Sequence, residues 1–314
     1  MSVKQALVLV NMGGPASTEE IAPYMRAIFA DPFILPLPWL LRGFVSNKIV
    51  KKRTQPVIEK YNLIGGKSPL LKWTEKQVKL MRRNDSPLFE HITHAYRYTS
   101  PTLDQTFASL KKGGYQSVTI LPMFPHSSRA MTGSIEHEAK RLAKRHSITT
   151  YTIDAWGLHK EIIALQSEYL KSAMDEAGTG ARVLFVAHGI PMREVKRGDN
   201  YPDKVSENAA MLAETLPAGT DWGLAYQSRV GPIEWTQPYL EDELERLAKS
   251  SDPVVIMPLS FVADCLETLY DLDRIAAPEL LNRGVSKVVR VPVYNDDPRF
   301  IERMAQLVNE VCDA

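Results

Sequence analysis

The sequence predicts an α/β protein made of two similar halves, each a parallel sheet flanked by helices. Three pairs of strand ends, recurring in the same order, carry that prediction. The first pair is Leu9-Val10-Asn11-Met12-Gly13-Gly14-Pro15 and Phe185-Val186-Ala187-His188-Gly189-Ile190-Pro191. The second is Ala95-Tyr96-Arg97-Tyr98 ahead of Pro101, and Ala225-Tyr226-Gln227-Ser228 ahead of Pro232. The third is Val118-Thr119-Ile120-Leu121-Pro122 and Val254-Val255-Ile256-Met257-Pro258. Each is a short, β-rich apolar run that stops at a turn, as a strand buried on both faces should. Where the first copy has Met12, the second has His188, a proton acceptor and metal ligand. The repeat therefore predicts a shared cleft whose chemistry sits mainly on the second half.

At 314 residues there is room for two domains, an N-terminal half over 1–155 and a C-terminal half over 156–314. Strands fall near 5–11, 91–97, 116–122 and 148–153 in the first, and near 182–187, 222–227, 253–259 and 287–293 in the second. Helices alternate with them, which implies parallel pairing. Ser17-x-x-Glu20 reads as a capping box opening the first helix. A last helix, 297–312, starts after Asp296-Asp297-Pro298 and is free to pack on either half.

One stretch breaks the alternation. Pro32-Phe33-Ile34-Leu35-Pro36-Leu37-Pro38-Trp39-Leu40-Leu41 holds three prolines and predicts neither a regular helix nor a central strand. Arg42, Lys48, Lys51, Lys52 and Arg53 follow it. The plain reading is a loop packed on the core. The functional reading is an exposed apolar lip, about 31–50, that admits a greasy substrate or rests on a membrane, its cations meeting anionic head groups. Trp39 beside Leu40 and Leu41 favours the lip.

Composition removes several classes. With 24% charged residues and a net charge of +1, the chain lacks the basic excess of a nucleic-acid binder. Cys265 and Cys312 are too few for a disulfide framework, a four-thiolate zinc site or an all-cysteine iron–sulfur cluster. A cytoplasmic setting is expected, because the first strand leaves no room for a signal peptide and no apolar run reaches the roughly 20 residues of a membrane span. Peripheral contact through the lip remains compatible with that setting.

His188 is placed at the carboxyl end of a parallel strand, where such sheets bind ligands. A histidine there can equally cap a turn, so a second constellation matters. In Asp264-Cys265-Leu266-Glu267-Thr268-Leu269-Tyr270-Asp271, the four-residue spacing puts Glu267 and Asp271 on one helical face. Acids at a helix start often only complement its dipole. Beside a histidine they also bind a dication or move protons. His126 reads as a turn residue, with a secondary metal contact as the alternative. Gly65-Gly66-Lys67-Ser68 has Tyr61 where a phosphate loop requires glycine, and Gly13-Gly14 lacks a third glycine, so no nucleotide site is expected.

Together these segments resemble ferrochelatases. The likeness covers nearly the whole chain. It runs through Asn11-Met12-Gly13-Gly14-Pro15, Tyr61-x-x-Ile64-Gly65-Gly66-x-Ser68-Pro69 and Arg97-Tyr98. It continues in Ala187-His188-Gly189-Ile190-Pro191, Arg197-Gly198-Asp199-x-Tyr201-Pro202, Gln227-Ser228-x-Val230-Gly231-Pro232-x-x-Trp235 and Phe261-Val262-x-Asp264-x-Leu266-Glu267-Thr268-Leu269-Tyr270. The resemblance implies the chelatase fold, two Rossmann-like halves with a porphyrin held in the cleft. It implies insertion of ferrous iron, as substrate, into protoporphyrin IX to give protohaem, with release of two protons and no organic cofactor.

It further implies His188 and Glu267 as the catalytic and metal-binding pair, with Asp264 and Asp271 as an acidic relay. Met12, Arg53, Tyr61, Ser68 and Tyr98 would hold the macrocycle and its propionates, and Trp235 would form an apolar wall. The chain departs from the family pattern twice: Cys265 stands where that pattern has histidine, and Ile275 where it has a third carboxylate. Cys265 reads either as a soft metal ligand or as a small buried residue, the second being favoured. Two residues from Glu267, it falls about 200° around an α-helix, on a different face. Two alternatives stand beside this reading. One is a chelatase for coproporphyrin III or for another metal such as cobalt; the other is a non-catalytic haem carrier or sensor. The oligomeric state is unassigned.

Overall fold

A computed structural model of the chain describes residues 3–84 and 88–313. The chain forms two compact units. The first comprises Met1–Met123, Ser127–Asp154 and Asn295–Ala314; the second comprises Phe124–His126 and Ala155–Tyr294.

In the first unit, β1 (Gln5–Asn11), β2 (His91–Tyr96), β3 (Ser117–Pro122) and β4 (Thr149–Thr152) form a parallel sheet in the order β2-β1-β3-β4. Residues Ala6 to Asn11 of the central strand are all buried, so both faces are covered. The covering helices are α1 (Ile21–Ala30), α2 (Trp39–Asn62), α3 (Leu70–Met81), α4 (Leu103–Lys112) and α5 (Ser134–His146). Of these, α4 opens on a true capping box, in which the Thr102 side chain accepts from the Gln105 N–H and the Gln105 side chain accepts from the Thr102 N–H.

In the second unit, β5 (Arg182–His188), β6 (Trp222–Gln227), β7 (Val254–Pro258) and β8 (Val288–Arg290) repeat the plan in the order β6-β5-β7-β8, again all parallel. Its helices are α6 (Lys160–Ala177), α7 (Met192–Val195), α8 (Tyr201–Ala213), α9 (Leu240–Leu247) and α10 (Ala277–Asn282). Alternate residues of β5 feed two cores. Val183, Phe185 and Ala187 pack with Val205 and Leu212, while Leu184 and Val186 pack with Leu244, Leu247 and Leu272. That alternation explains the uninterrupted apolar run of the strand.

The repeat extends beyond strand order. The Tyr96 and Tyr226 N–H groups each donate over 2.8 Å, to the carbonyls of Pro101 and Pro238. Ser100-Pro101 and Gln237-Pro238 are both cis. The proline that corresponds to Pro101 is therefore Pro238, not Pro232. Each half also carries a π-helical segment after its third strand, Arg129–Gly133 in one and Glu267–Ala276 in the other.

Three sequence expectations change. Ser17 opens a single 3₁₀ turn, Thr18–Glu20, and makes no side-chain cap; the Glu20 carboxylate instead accepts from the Ala16 N–H at 2.9 Å. The α-helix starts only at Ile21, so Glu20 sits at its N-cap and not at the third helical position that a capping box requires. The apolar lip is irregular only as far as Pro38. From Trp39 it is the first turns of the 24-residue α2. All three of its prolines precede the helix, and the last is the N-cap residue, where a missing N–H costs nothing. Finally, α11 (Pro298–Asp313) packs against α3 of the first unit, and its leading turn is tied there by Lys76 to Asp296 at 2.6 Å and by Gln77 to the Asn295 carbonyl at 2.8 Å.

Candidate active site

His188 ends β5 and is half-buried. Its main chain is pinned on both sides. The Tyr201 hydroxyl donates to its carbonyl at 2.8 Å and lies 2.6 Å from the Ser260 hydroxyl, whose oxygen accepts from the His188 N–H at 3.4 Å. Burial pushes the Tyr201 phenol well above its ordinary pKa, so it remains a donor. The imidazole meets the edge of Phe261 at 6.5 Å and has no hydrogen bond to protein among the described residues. Fixed backbone and unengaged ring nitrogens are what a proton acceptor or metal contact needs.

The residue after it has a steric reason to be glycine. A Cβ on Gly189 would lie 3.0 Å from the Gln227 carbonyl oxygen and 3.6 Å from Trp235. Trp235 thus stands next to the histidine turn, bridged to Pro191 and donating from its indole to the Val230 carbonyl at 3.0 Å.

The acidic residues separate into different roles. Glu267 begins the π-helix. Asp271 accepts a long bond, 3.5 Å, from Ser228, which holds a left-handed backbone at φ 69°. Asp264 precedes the helix and is committed to protein partners: Thr268 donates to it at 2.9 Å and Arg290 pairs with it at 3.4 Å. Its expected place in a relay with Glu267 and Asp271 is replaced by an ion pair. Cys265 differs from expectation too. It lies ahead of the π ladder in an irregular turn, so the 200° α-helical separation does not apply. Burial, then the Glu267 charge, push that thiol well above its ordinary pKa. A thiol held protonated is a poor metal ligand. Among the described residues, no three His, Cys, Asp or Glu side chains converge as a metal-holding group.

His126 is a bend residue by backbone and a core residue by side chain. It is 3% exposed, its Nε2 bonds Asn208 at 3.1 Å, and its ring stands edge-on to Tyr201. Burial pulls its pKa down to about 4, so the side chain is neutral and packs with its Nε2 on Asn208.

In the first unit, the candidate binding residues gather at the carboxyl end of β1. Met12 is half-buried, its N–H bonded to the Asn11 side chain and its carbonyl to the Tyr98 N–H at 3.1 Å. Gly13 follows at φ +88°, with Thr99 so close that a Cβ would meet it at 2.1 Å. The Ser68 N–H donates to the Pro15 carbonyl at 2.8 Å and the Gly66 N–H to the Tyr61 carbonyl at 2.8 Å. Tyr61, Ser68 and Met12 are thereby stitched into one corner, with Tyr61 and Ser68 buried.

Arg53, on α2, is half-buried and has no carboxylate partner among the described residues. Burial lowers its pKa, the mark of a cation short of counter-charge. Tyr98, expected to orient a propionate, instead gives its hydroxyl to Asp31 at 2.9 Å. That carboxylate also accepts from Arg97 at 2.8 Å, from Ser134 at 2.5 Å and from the Phe33 N–H at 2.8 Å. The sequence reading missed Asp31. Its only local signal was a single acid at the base of the proline-rich lip.

The ferrochelatase family model matches residues 4–311. The chain is 36% identical to a ferrochelatase of Geobacter metallireducens, covering 99% of both chains. It is 32% identical to one of Caulobacter vibrioides, covering 99% of this chain and 91% of that one. Among solved structures it superposes on SirB from Bacillus subtilis with Fe3+ at a TM-score of 0.60 and 14% identity, covering 98% and 95% of the two chains. It superposes on CbiX, the terminal enzyme for biosynthesis of siroheme in denitrifying bacteria, at 0.52 and 14%, covering 98% and 99%. Those two likenesses establish the chelatase fold. With the family model spanning both sheets and relatives above 30% identity aligned end to end, the chain belongs to the ferrochelatase family.

Proposed function

We propose that this chain, as a ferrochelatase, inserts ferrous iron into protoporphyrin IX through His188 and Glu267. The observation that carries the assignment is the state of His188: a main chain held by Tyr201 and Ser260, and ring nitrogens with no hydrogen bond to protein among the described residues. Insertion must strip water from the metal and remove two pyrrole protons. A neutral imidazole accepts such a proton, and the Glu267 carboxylate lowers the cost of a dication or a new imidazolium in a partly dry site. Asp271, four residues on, extends the acidic path, while Asp264 is left out of it. Met12 supplies a soft apolar contact for the macrocycle face, and Trp235 an apolar wall. Arg53 suits a propionate, because its half-buried charge has no carboxylate partner among the described residues. Tyr61 and Ser68 shape the corner that holds the ring edge.

The same reading makes the start of α2 a peripheral membrane contact. Trp39, Leu40, Leu41 and Phe44 are 75%, 67%, 55% and 60% exposed, and Lys48, Lys51 and Lys52 follow on the helix. No described helix is long and apolar enough to cross a membrane. Protohaem and its precursor are greasy, so an exposed apolar helix start beside cations favours exchange at an anionic lipid surface.

Anaerobic incubation with ferrous iron and protoporphyrin IX, followed by absorbance, tests the assignment. Wild-type protein should turn over and His188→Ala should not. Turnover by a folded His188→Ala protein would overturn it. Coproporphyrin III in a parallel cuvette separates the two porphyrins, and stoichiometric haem retention without turnover would identify a carrier.

A further inference from the structure

Arg290 ends β8 at the carboxyl edge of the second sheet and plays no part in the chemistry described above. Its side chain is only 16% exposed, and it faces two carboxylates. Its Nε lies 2.5 Å from Asp273 Oδ1, and its terminal nitrogen lies 3.2 Å from Asp273 Oδ2 and 3.4 Å from Asp264 Oδ1. Its other terminal nitrogen donates to the Val291 carbonyl at 3.3 Å, which fixes the fork. Asp264 in turn holds the buried Thr268 hydroxyl at 2.9 Å, and the Thr268 oxygen accepts from the Cys265 N–H at 3.1 Å. One guanidinium therefore ties the turn before the helix to its second turn, with Glu267 and Asp271 in between.

The span of that tie depends on the helix type. Asp264 and Asp273 are nine residues apart. On a continuous α-helix this is about two and a half turns, which would put the two acids on opposite sides, out of reach of a single side chain. They share Arg290 because the turn at Asp264 is irregular and the ladder over Glu267–Ala276 is π. A π ladder is rare and intrinsically disfavoured, so tertiary contacts must select it. Arg290 is a contact that rewards the π arrangement and would be half lost in the α one.

We infer that Arg290 is a positioning residue for metal insertion: by clamping Asp264 and Asp273 it holds the π-helical register in which Glu267 and Asp271 are presented. It also neutralises Asp264, which leaves Glu267 to receive the dication without a second carboxylate competing from the preceding turn. The inference rests on the proposed function for its kinetic consequence and on geometry alone for its structural one.

The test is Arg290→Gln, read in two ways. Hydrogen exchange should quicken locally in the amides of 266–276 and stay unchanged in β5 and β7. In the anaerobic assay, kcat should fall about tenfold, as expected for a catalytic group displaced by a fraction of an ångström, with the porphyrin KM within about twofold of wild type. Arg290→Lys should recover only part of the rate, since an ammonium can pair with Asp273 but cannot bridge two carboxylates with a planar fork. Unchanged kcat together with unchanged exchange in Arg290→Gln would overturn the inference. So would a rise in porphyrin KM matching the loss in kcat, which would mark a general structural defect. If Arg290→Gln fails to fold, Asp273→Asn removes one arm at a partly exposed site; local exchange and reduced kcat there would support the clamp, and wild-type behaviour would refute it. Wild-type protein that inserted no iron would refute the proposed function, yet the exchange result would still decide the clamp.

Discussion

The two halves follow one topology and differ in what they mount on it. At the end of the first central strand stand Asn11, Met12 and Gly13; at the end of the second stand Ala187, His188 and Gly189. After each third strand comes a π-helical segment, and each is braced by a charge at the centre of a cluster. In the first half the centre is an anion, Asp31, gripping Arg97, Tyr98 and Ser134, the first residue after the π turn. In the second it is a cation, Arg290, gripping Asp264 and Asp273. The partners of the anion are Arg97, Tyr98, Ser134 and the Phe33 N–H, and the half that holds it is the one proposed to bind the macrocycle. Where the brace is a cation, the helix is left with carboxylates, suited to a metal and to protons. The fold supplies the same platform twice, and the sign of the central charge matches the division of labour.

The strongest way to break this comparison is to exchange chemistry at the equivalent strand ends. His188→Ala should lower turnover by about a thousandfold or more while the protein stays folded by circular dichroism. Met12→Ala, at the matching position, should raise the porphyrin KM severalfold and leave kcat within about threefold. If the two variants fell equally in kcat, the division of labour would be wrong.

Next in size are the two braces, compared by urea unfolding. The Asp31 side chain is 1% exposed and serves four donors. Asp31→Asn strands the Arg97 charge and should cost ~3–5 kcal/mol. Arg290→Gln leaves carboxylates that are 15% and 32% exposed, and solvent screening should hold its cost to about 1 kcal/mol. Equal losses would mean that burial does not distinguish the clusters.

A third test uses pH. His126 comes between β3 and β4 of the first sheet in sequence but belongs to the second unit, where its pKa falls from 6.5 to about 4. Between those values the unfolded chain binds a proton that the folded chain refuses. The neutral side chain's contribution is therefore complete above pH 6.5 and is lost as pH falls towards 4, on the order of 3 kcal/mol for a shift of this size. His126→Phe should flatten the pH dependence of stability in that window. A wild-type curve that is already flat there would contradict the buried, neutral histidine.

The smallest expected effect is at the lip. Trp39→Ser with Leu40→Ser should weaken association with anionic liposomes about tenfold, and hardly change insertion measured in detergent. Unchanged liposome binding would remove the membrane role from α2.

Much of this was legible because buried parallel strands announce themselves. All eight strands fall within a few residues of their expected positions; the inner ones β1, β5 and β7 are legible because a strand covered on both faces is apolar throughout and stops at a turn, while the edge strand β4 is partly exposed and Thr-rich. His188 was legible for the same reason: it is the polar exception at the end of such a run. The start of α2 was less so, because three prolines look like a broken segment until the last one is seen to stand just outside the helix.

Residues alone determined the two-sheet architecture, the pairing of strand ends and the asymmetry between Met12 and His188, all of which depend on local pattern and spacing. Tertiary structure decided which acid is held in an ion pair. Glu267, Asp271 and Asp264 look alike in a helical reading, and only the arrival of Arg290 from the edge strand, 26 residues after Asp264 and 17 after Asp273, separates Asp264 from the others. The π ladder over Glu267–Ala276 is equally hidden, because the same sequence satisfies an α-helical spacing. Charges pair, and helices choose their register, according to what packs against them, and that information lies in residues far away along the chain.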